Sequence, residues 1–471
     1  MSIHMLPKTT LFAARIDPTG IQNFLDASKN MGNDLHAILL IRDGKIAYEQ
    51  YFDPYQKEDK RHVFSISKSW TATAVGLAVA EGRFSLSDPV ISFFPEECPA
   101  VISENLAAMT VRDLLRMGTG HHTEPPVMTR TDVDWVRGFL SYPVEHVPGT
   151  HFAYNSLATY ILAAILKKQT GEDLVTYLTP RLFEPLGITG IHWDHSPQGI
   201  CCGGWGIHVS AEDIAKLGLL YLNGGIYNGR RILSEEWVHA ATSKQIDNAP
   251  NSQIDWGQGY GYQIWRCQHD CFRFDGAFGQ YMIAVPQKNA LAVIFSQTVC
   301  MQDILDAFWE HLLPAFDHPA GNSPVPDHLC APIPHLSGRC FEASYQASPN
   351  EWGILGLKIY CDFEGGNLLL QTKWGENNLP FKTNHWETSR LLSCPVFPDM
   401  VDASIEPMTC DVGAAGGWQN HTLQITVRYR NTPHKIVWEL DTDLPAFHFQ
   451  YPQSTFSGDC PNVQIALSPL S

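Results

Sequence analysis

The stretch from Val63 to Gly82 limits the fold more than any other: Val-Phe-Ser-Ile-Ser-Lys-Ser-Trp-Thr-Ala-Thr-Ala-Val-Gly-Leu-Ala-Val-Ala-Glu-Gly. From Ser65 to Glu81 it reads as a helix that is apolar on nearly every side, with Ser, Lys and Thr confined to its first turns. Such a helix has no face to offer water, so other elements must be packed around it. Gly82 supplies a stop. Ser65 and Lys68 are three apart and share one face at the N-terminal end. The helix dipole disfavours an ammonium there. A Lys that gives up its proton easily can activate a Ser hydroxyl, which is otherwise a weak nucleophile. Ser-x-x-Lys arises by chance in long chains, and a capping Ser followed by an exposed Lys would look the same. Its position at the mouth of a buried helix favours chemistry, provided other segments supply the missing parts.

A chain of 471 residues has room for two domains and a large core, and 44% hydrophobic content fits a globular protein. The formal net charge of -17 argues against nucleic-acid or anionic-membrane partners. The N-terminus, Met-Ser-Ile-His-Met-Leu-Pro-Lys, has no long apolar run behind its charges, so it does not read as a signal peptide. No segment has the length and apolarity of a membrane span. The 12 Cys, spread from Cys98 to Cys460 without regular spacing, favour a reducing cytoplasm over a disulfide framework.

Along the chain, Thr19–Lys29 reads as a short helix and residues 36–52 as a hairpin around Asp43-Gly44. Thr110-Val-Arg-Asp113 and Ser210-Ala-Glu-Asp213 are capping-box patterns, with Asp in the usual place of Glu. Helices also fit 156–169 and 301–313. Between 259 and 298 the pattern turns to strands, which with the hairpin predict a five-stranded antiparallel sheet assembled from both ends of the domain. The fold class is therefore α+β, with helices flanking that sheet. Residues 1–315 form the first domain and 316–336 a Pro-rich linker. Residues 337–471 form a separate all-β barrel or sandwich, with hairpins at 357–374 and 423–440.

Two further elements could complete a site. Pro148-Gly-Thr-His-Phe-Ala-Tyr154-Asn155-Ser156 leads from a turn into a helix. A Tyr hydroxyl beside a Lys can relay a proton, although an isolated Tyr is more often a half-buried aromatic, with Ser156 as an N-cap. Phe274-Asp275-Gly276-Ala277-Phe278-Gly279-Gln280 enters a strand, and its glycines let backbone approach a bound group. The N–H groups of Ser65 and Ala277 could face a developing oxyanion; a bulge without function is the plainer reading.

These three elements, in this order, resemble the serine β-lactamase and penicillin-binding-protein superfamily. The likeness is to its class C-related branch of esterases, D-amino-acid peptidases and 6-aminohexanoate-dimer hydrolases. It spans residues 20–315 and includes Ser85-Leu-Ser-Asp-Pro-Val, Thr110-Val-Arg-Asp-Leu-Leu and Leu217-Gly-Leu-Leu-Tyr-Leu-Asn-Gly-Gly. The resemblance implies a helical subdomain beside the sheet. It also implies Ser65 as the acylated nucleophile, Lys68 as its base, Tyr154 as the proton relay, and Ala277 with Ser65 as the oxyanion hole. Ser156, Asn155, Gly276 and Trp205 would line the substrate side. Two departures stand out. The family's Tyr-Ser-Asn is Tyr154-Asn155-Ser156 here, and its Lys/His-Thr-Gly is Phe274-Asp275-Gly276. The cation that would hold a substrate carboxylate is missing.

The expected function is hydrolysis of a small ester or amide through an acyl-enzyme, with no cofactor and no metal. A non-catalytic binding or scaffolding protein on the same fold is the alternative, and a penicillin-recognising D-Ala-D-Ala peptidase or β-lactamase a third. Cys267-Gln-His269-Asp-Cys271 reads as a hairpin tip, and His121-His122-x-Glu124 and His192-Trp-Asp-His195 as chance clusters without helical zinc spacing. Gly203-Gly204-Trp205-Gly206 fits a site-lining loop and a plain turn equally well. Oligomeric state is not encoded in any of these features.

Overall fold

The computed structural model describes residues 5–128, 132–317, 329–391, 409–450 and 462–470. Most of the expected Pro-rich linker, and Cys460, lie outside them. The described residues form two compact units, one of residues 5–50 and 62–317, the other of 51–61 and the residues from 329 onward.

The first unit is built on a six-stranded sheet in the order Lys45–Tyr51, Asp34–Arg42, Ala290–Gln297, Gln280–Val285, Phe272–Gly276, Trp265–Arg266. The two ends of the unit meet in an antiparallel ladder, with Leu39 opposite Val293. Asp43 (φ 51°) and Gly44 (φ 72°) both adopt the left-handed conformation that a two-residue hairpin turn requires. Every residue of Gln280–Val285 is buried, so helices cover both faces of the sheet. Helix Ala211–Leu222 lies close enough that a Cβ on Gly218 would stand 2.8 Å from Met282 Sδ.

The sheet contains the five expected strands and a sixth, the two-residue edge strand Trp265–Arg266. Only the end of the run 259–265 joins the sheet. Gly259 has φ 102°, and a Cβ on Gly261 would stand 2.0 Å from the Ala241 carbonyl oxygen, so this stretch is a tightly packed turn. Helix Pro18–Asn30, helix Ser156–Thr170 and both capping boxes form as the sequence indicates. The helix expected over 301–313 is α-helical at Met301–Ala307 and passes through one π turn at Phe308–Leu312.

The helix expected from Ser65 divides in two: a 3₁₀ turn at Phe64–Ile66 and an α-helix at Ser67–Ala80. Phe64 has φ 49°, a conformation costly for a bulky side chain. Neighbours hold it there: Val63 N–H donates to Ile207 O at 3.3 Å, and Ser67 Oγ–H donates to Phe64 O at 2.6 Å. The helix is buried on nearly every side. Gly76 is required within it, because a Cβ would lie 2.4 Å from the Trp237 ring.

The second unit is a sheet of ten strands between Phe341 and Pro469. The contact of Lys382 with Ala415 joins strand Gly375–Lys382 to Cys410–Gln419 and closes nine of them into a barrel. Glu387–Leu391 is the tenth and pairs with Cys410–Gln419. Burial alternates residue by residue over 357–361 and 462–467, as barrel strands with one inward face require. Residues 51–61 pack onto this unit: Pro54 sits where a Cβ on Gly413 would be, and Asp59 pairs with Arg430.

Candidate active site

The 3₁₀ turn sets Ser65 at the head of the buried helix, and Lys68 follows one turn on. Lys68 is 1% exposed. Its Nζ donates to Ser65 Oγ at 2.9 Å, Ser156 Oγ at 3.0 Å and Gly204 O at 2.8 Å. Those three partners match the three protons of an ammonium. A neutral amine would keep two of these bonds and turn its lone pair toward the third. Burial lowers the Lys68 pKa to about 7, against the opposing pull of Glu124 and Asp275. Near neutral pH this amine can therefore take a proton from Ser65.

The Tyr154 ring lies 4.8 Å from Lys68 Nζ, and its hydroxyl shares a hydrogen bond with Ser65. Burial pushes the phenol well above its ordinary pKa. Ser65 opposes that shift, while Asp275 and Glu124 add to it. Tyr154 thus stays protonated near neutral pH. Its ring is set by Trp265, stacked at 5.4 Å, and Tyr260 at 6.4 Å.

The helix behind Ser156 is capped by Asn155, whose Oδ1 accepts from Ala158 N–H at 3.0 Å. Asn155 is fully buried, with Oδ1 taken by the cap and Nδ2 without a hydrogen-bond partner. Trp205 likewise faces inward: it is 4% exposed, packs 5.8 Å from the Trp135 ring, and accepts the Trp193 Nε1–H bond on its carbonyl at 2.7 Å. Its neighbour Gly204 holds Lys68. A Cβ on Gly204 would stand 2.6 Å from Ser156 O, and one on Gly203 2.9 Å from Thr159 O. The glycine pair lets the loop lie against the helix.

On the other side, strand Phe272–Gly276 runs against the 3₁₀ turn. A Cβ on Gly276 would be 2.3 Å from Val63 O, which explains the glycine. Ala277 opens the turn that follows, where Phe278 (φ 63°) and Gly279 (φ 80°) reverse the chain. Gln280 secures it: Nε2 donates to Ser296 O at 2.7 Å, Phe278 O at 3.2 Å and Ala277 O at 3.3 Å.

Phe274 is fully buried against Tyr221, ring to ring at 5.6 Å, so the position of the family's cation turns away from the site. Arg273 and Asp275 take the opposite face. Arg273 Nε donates to Asp275 Oδ2 at 2.8 Å. Its Nη1 donates to Asp255 O and Arg266 O at 3.0 and 3.2 Å. The guanidinium also lies over Trp256 and Trp265 at 4.6 and 5.2 Å.

Glu124, read in the sequence only within the chance cluster His121-His122-x-Glu124, stands at this site. Its Oε1 accepts from Leu157 N–H at 2.9 Å at the start of the Ser156 helix. Burial raises its pKa, while Lys68 and hydrogen bonds from Leu157 and Ser156 lower it. A carboxylate at a helix N-terminus is favoured by the dipole. Cys267 and Cys271 form a hairpin tip, with Cys267 N–H donating to Cys271 O at 3.0 Å. All ten cysteines among the described residues are free, and no helix among them is long and apolar enough to cross a membrane.

Comparison with known proteins places these observations in a wider group. The protein-family model described as Beta-lactamase matches residues 35–308. The 6-aminohexanoate-dimer hydrolase of Paenarthrobacter ureafaciens is 28% identical over 223 residues, 43% of this chain and 56% of that protein. The chain thus spans little more than half of that relative. Among solved structures, the octameric penicillin-binding protein homologue from Pyrococcus abyssi aligns over 95% of this chain and 99% of its own, at 15% identity and TM-score 0.51. EstCE1, a hydrolase with promiscuous acyltransferase activity, aligns over 62% of this chain and 98% of its own, at 16% identity and TM-score 0.52. At such identities the two structures speak to fold alone.

Proposed function

This chain belongs to the Beta-lactamase family, and on that premise we propose that it is a serine hydrolase that cleaves a small ester or amide through an acyl-enzyme on Ser65. The observation that carries the reading is the 2.9 Å contact of Ser65 Oγ with Lys68 Nζ, an amine whose pKa burial brings to about 7. As Ser65 Oγ attacks the carbonyl carbon, its proton passes to neutral Lys68. The carbonyl π pair moves onto oxygen, which the N–H groups of Ser65 and Ala277 stabilise. Collapse of the tetrahedral species breaks the bond to the leaving group. That group takes the Tyr154 proton, and the Lys68 ammonium restores it. Water then attacks the ester on Ser65 and gives its proton to Lys68. The acid leaves, and Ser65 regains its proton.

The family's cation is replaced by Phe274. Phe274, which stands at the position of that cation, is fully buried against Tyr221, which argues against capture of a β-lactam or D-Ala-D-Ala carboxylate there. The close Ser65–Lys68–Tyr154 grouping argues against a non-catalytic scaffold. Free thiols among the described residues fit a reducing, cytoplasmic setting, and the net charge of -17 fits a small-molecule substrate rather than nucleic acid or an anionic membrane.

A fluorophosphonate probe tests this reading. Mapping of the labelled protein should find the adduct on Ser65, and Ser65→Ala should lose both labelling and turnover of a p-nitrophenyl ester. Absence of labelling on the wild type, or an adduct on another residue, overturns it.

A further inference from the structure

A second group of chemically competent side chains lies behind the nucleophile segment. Strands His192–Trp193 and Ile207–Val209 pair antiparallel, with His192 directly opposite His208. Asp194, two residues after His192, returns to the same face. Its Oδ1 is 3.3 Å from His192 Nε2 and 3.2 Å from His208 Nε2. The ligand atoms of all three residues lie within 4.8 Å of one another. Asp194 Oδ2 is 3.7 Å from His62 Nε2, on the segment running beside Ile207–Val209, and makes no hydrogen bond. Asp194 and His208 are buried, whereas the His192 side chain is 59% exposed and opens the cluster to solvent. Gly206 (φ 95°) makes room: a Cβ there would stand 2.8 Å from Asp194 Cβ.

Two imidazoles and a carboxylate form a donor set suited to zinc and its first-row neighbours. With bonds of about 2.0–2.1 Å, tetrahedral geometry separates neighbouring ligand atoms by about 3.3 Å. Both Asp–His separations fall at that value. Hydrogen bonding alone would direct two imidazoles at one oxygen while the other, equally sealed from water, has no hydrogen bond. We propose that His192 Nε2, Asp194 Oδ1 and His208 Nε2 form a site for a divalent transition metal of the Zn²⁺ type. A water on the His192 side completes the coordination, and His62 backs the carboxylate. The loop between Asp194 and His208 carries Gly204, and His62 lies three residues before Ser65. A bound ion would tie the loop that holds Lys68 to the segment that presents the nucleophile. This proposal is independent of the hydrolase reading and supplies no step of it.

The test uses the full chain, stripped with a chelator and titrated with Co²⁺ and then Zn²⁺. One Co²⁺ per chain should bind with the intense visible absorption of tetrahedral coordination, and Zn²⁺ should displace it. Zn²⁺ at a hundredfold excess over its Kd should raise Tm by about 5 °C. His192→Ala, at an exposed position, should abolish both signals, and Asp194→Asn should weaken binding at least ~10-fold. His146→Ala should leave both signals unchanged; it probes the separate cluster of His122, His146 and His151. No binding by the wild type, or binding that survives His192→Ala, overturns the proposal.

Discussion

Gly204→Ala perturbs the proposed base without touching any reacting group. The new Cβ would stand 2.6 Å from Ser156 O and 3.2 Å from Ser156 Cβ. Ordinary contact begins at 3.4 Å, so the loop and the helix start must part by ~0.8 Å. If the Gly204 carbonyl moves with its residue, its 2.8 Å bond from Lys68 Nζ lengthens to about 3.6 Å and is lost. A buried hydrogen bond to a charged group is worth about 1.5–3 kcal/mol, and misplacement of a catalytic group by ~1 Å costs about 100-fold in rate. Both routes lead to a fall of roughly 100-fold in kcat/KM on a p-nitrophenyl ester, with an equal slowing of fluorophosphonate labelling. Thermal melting should confirm that the variant folds. A folded Gly204→Ala protein with activity within about twofold of wild type would refute the argument that this carbonyl sets the Lys68 amine.

Two further outcomes follow from the same geometry. Glu124→Gln keeps an acceptor for Leu157 N–H but removes a negative charge that raises the Lys68 pKa; the base should then lose its proton more readily, and the acidic limb of the pH–rate profile should shift to lower pH, which a kcat/KM profile of the variant reads directly. Asp113→Ala deletes the bonds from Thr110 N–H at 2.9 Å and Arg116 Nη2–H at 2.6 Å and should cost about 1–2 kcal/mol in denaturant unfolding, with little change in pH profile.

The parts of this molecule that sequence makes legible are those with local causes. Asp43-Gly44 demands its hairpin, Thr110/Asp113 and Ser210/Asp213 demand their caps, and the apolar run after Ser65 demands burial. Tyr154 could be joined to Ser65 and Lys68 only through a family resemblance, because nothing in its own stretch says what it meets. The residues whose surroundings stay hidden in the sequence are those whose neighbours come from afar. Asn155 is polar and next to Tyr154, and its Oδ1 caps its own helix. Trp205 beside a glycine pair suggests a ligand wall; its ring packs on Trp135, and the carbonyl of neighbouring Gly204 holds Lys68. Glu124, Gln280 and the Arg273–Asp275 pair carry no local signature, since their partners lie 16 to 33 residues away or depend on which face of a strand turns inward. The break of the expected helix into a 3₁₀ turn reflects the left-handed Phe64, which tertiary contacts impose against local preference.

The central claim is that Ser65 is activated by a lysine that is neutral near physiological pH. The second-order rate of fluorophosphonate labelling at Ser65, followed across pH, measures this most directly. Lys68 must be deprotonated to act, so the rate should be low in acid, rise through a midpoint near the Lys68 pKa of about 7 and level off above it. A rate that keeps climbing toward the pKa of an ordinary solvated lysine, or one that does not change with pH, would contradict the account.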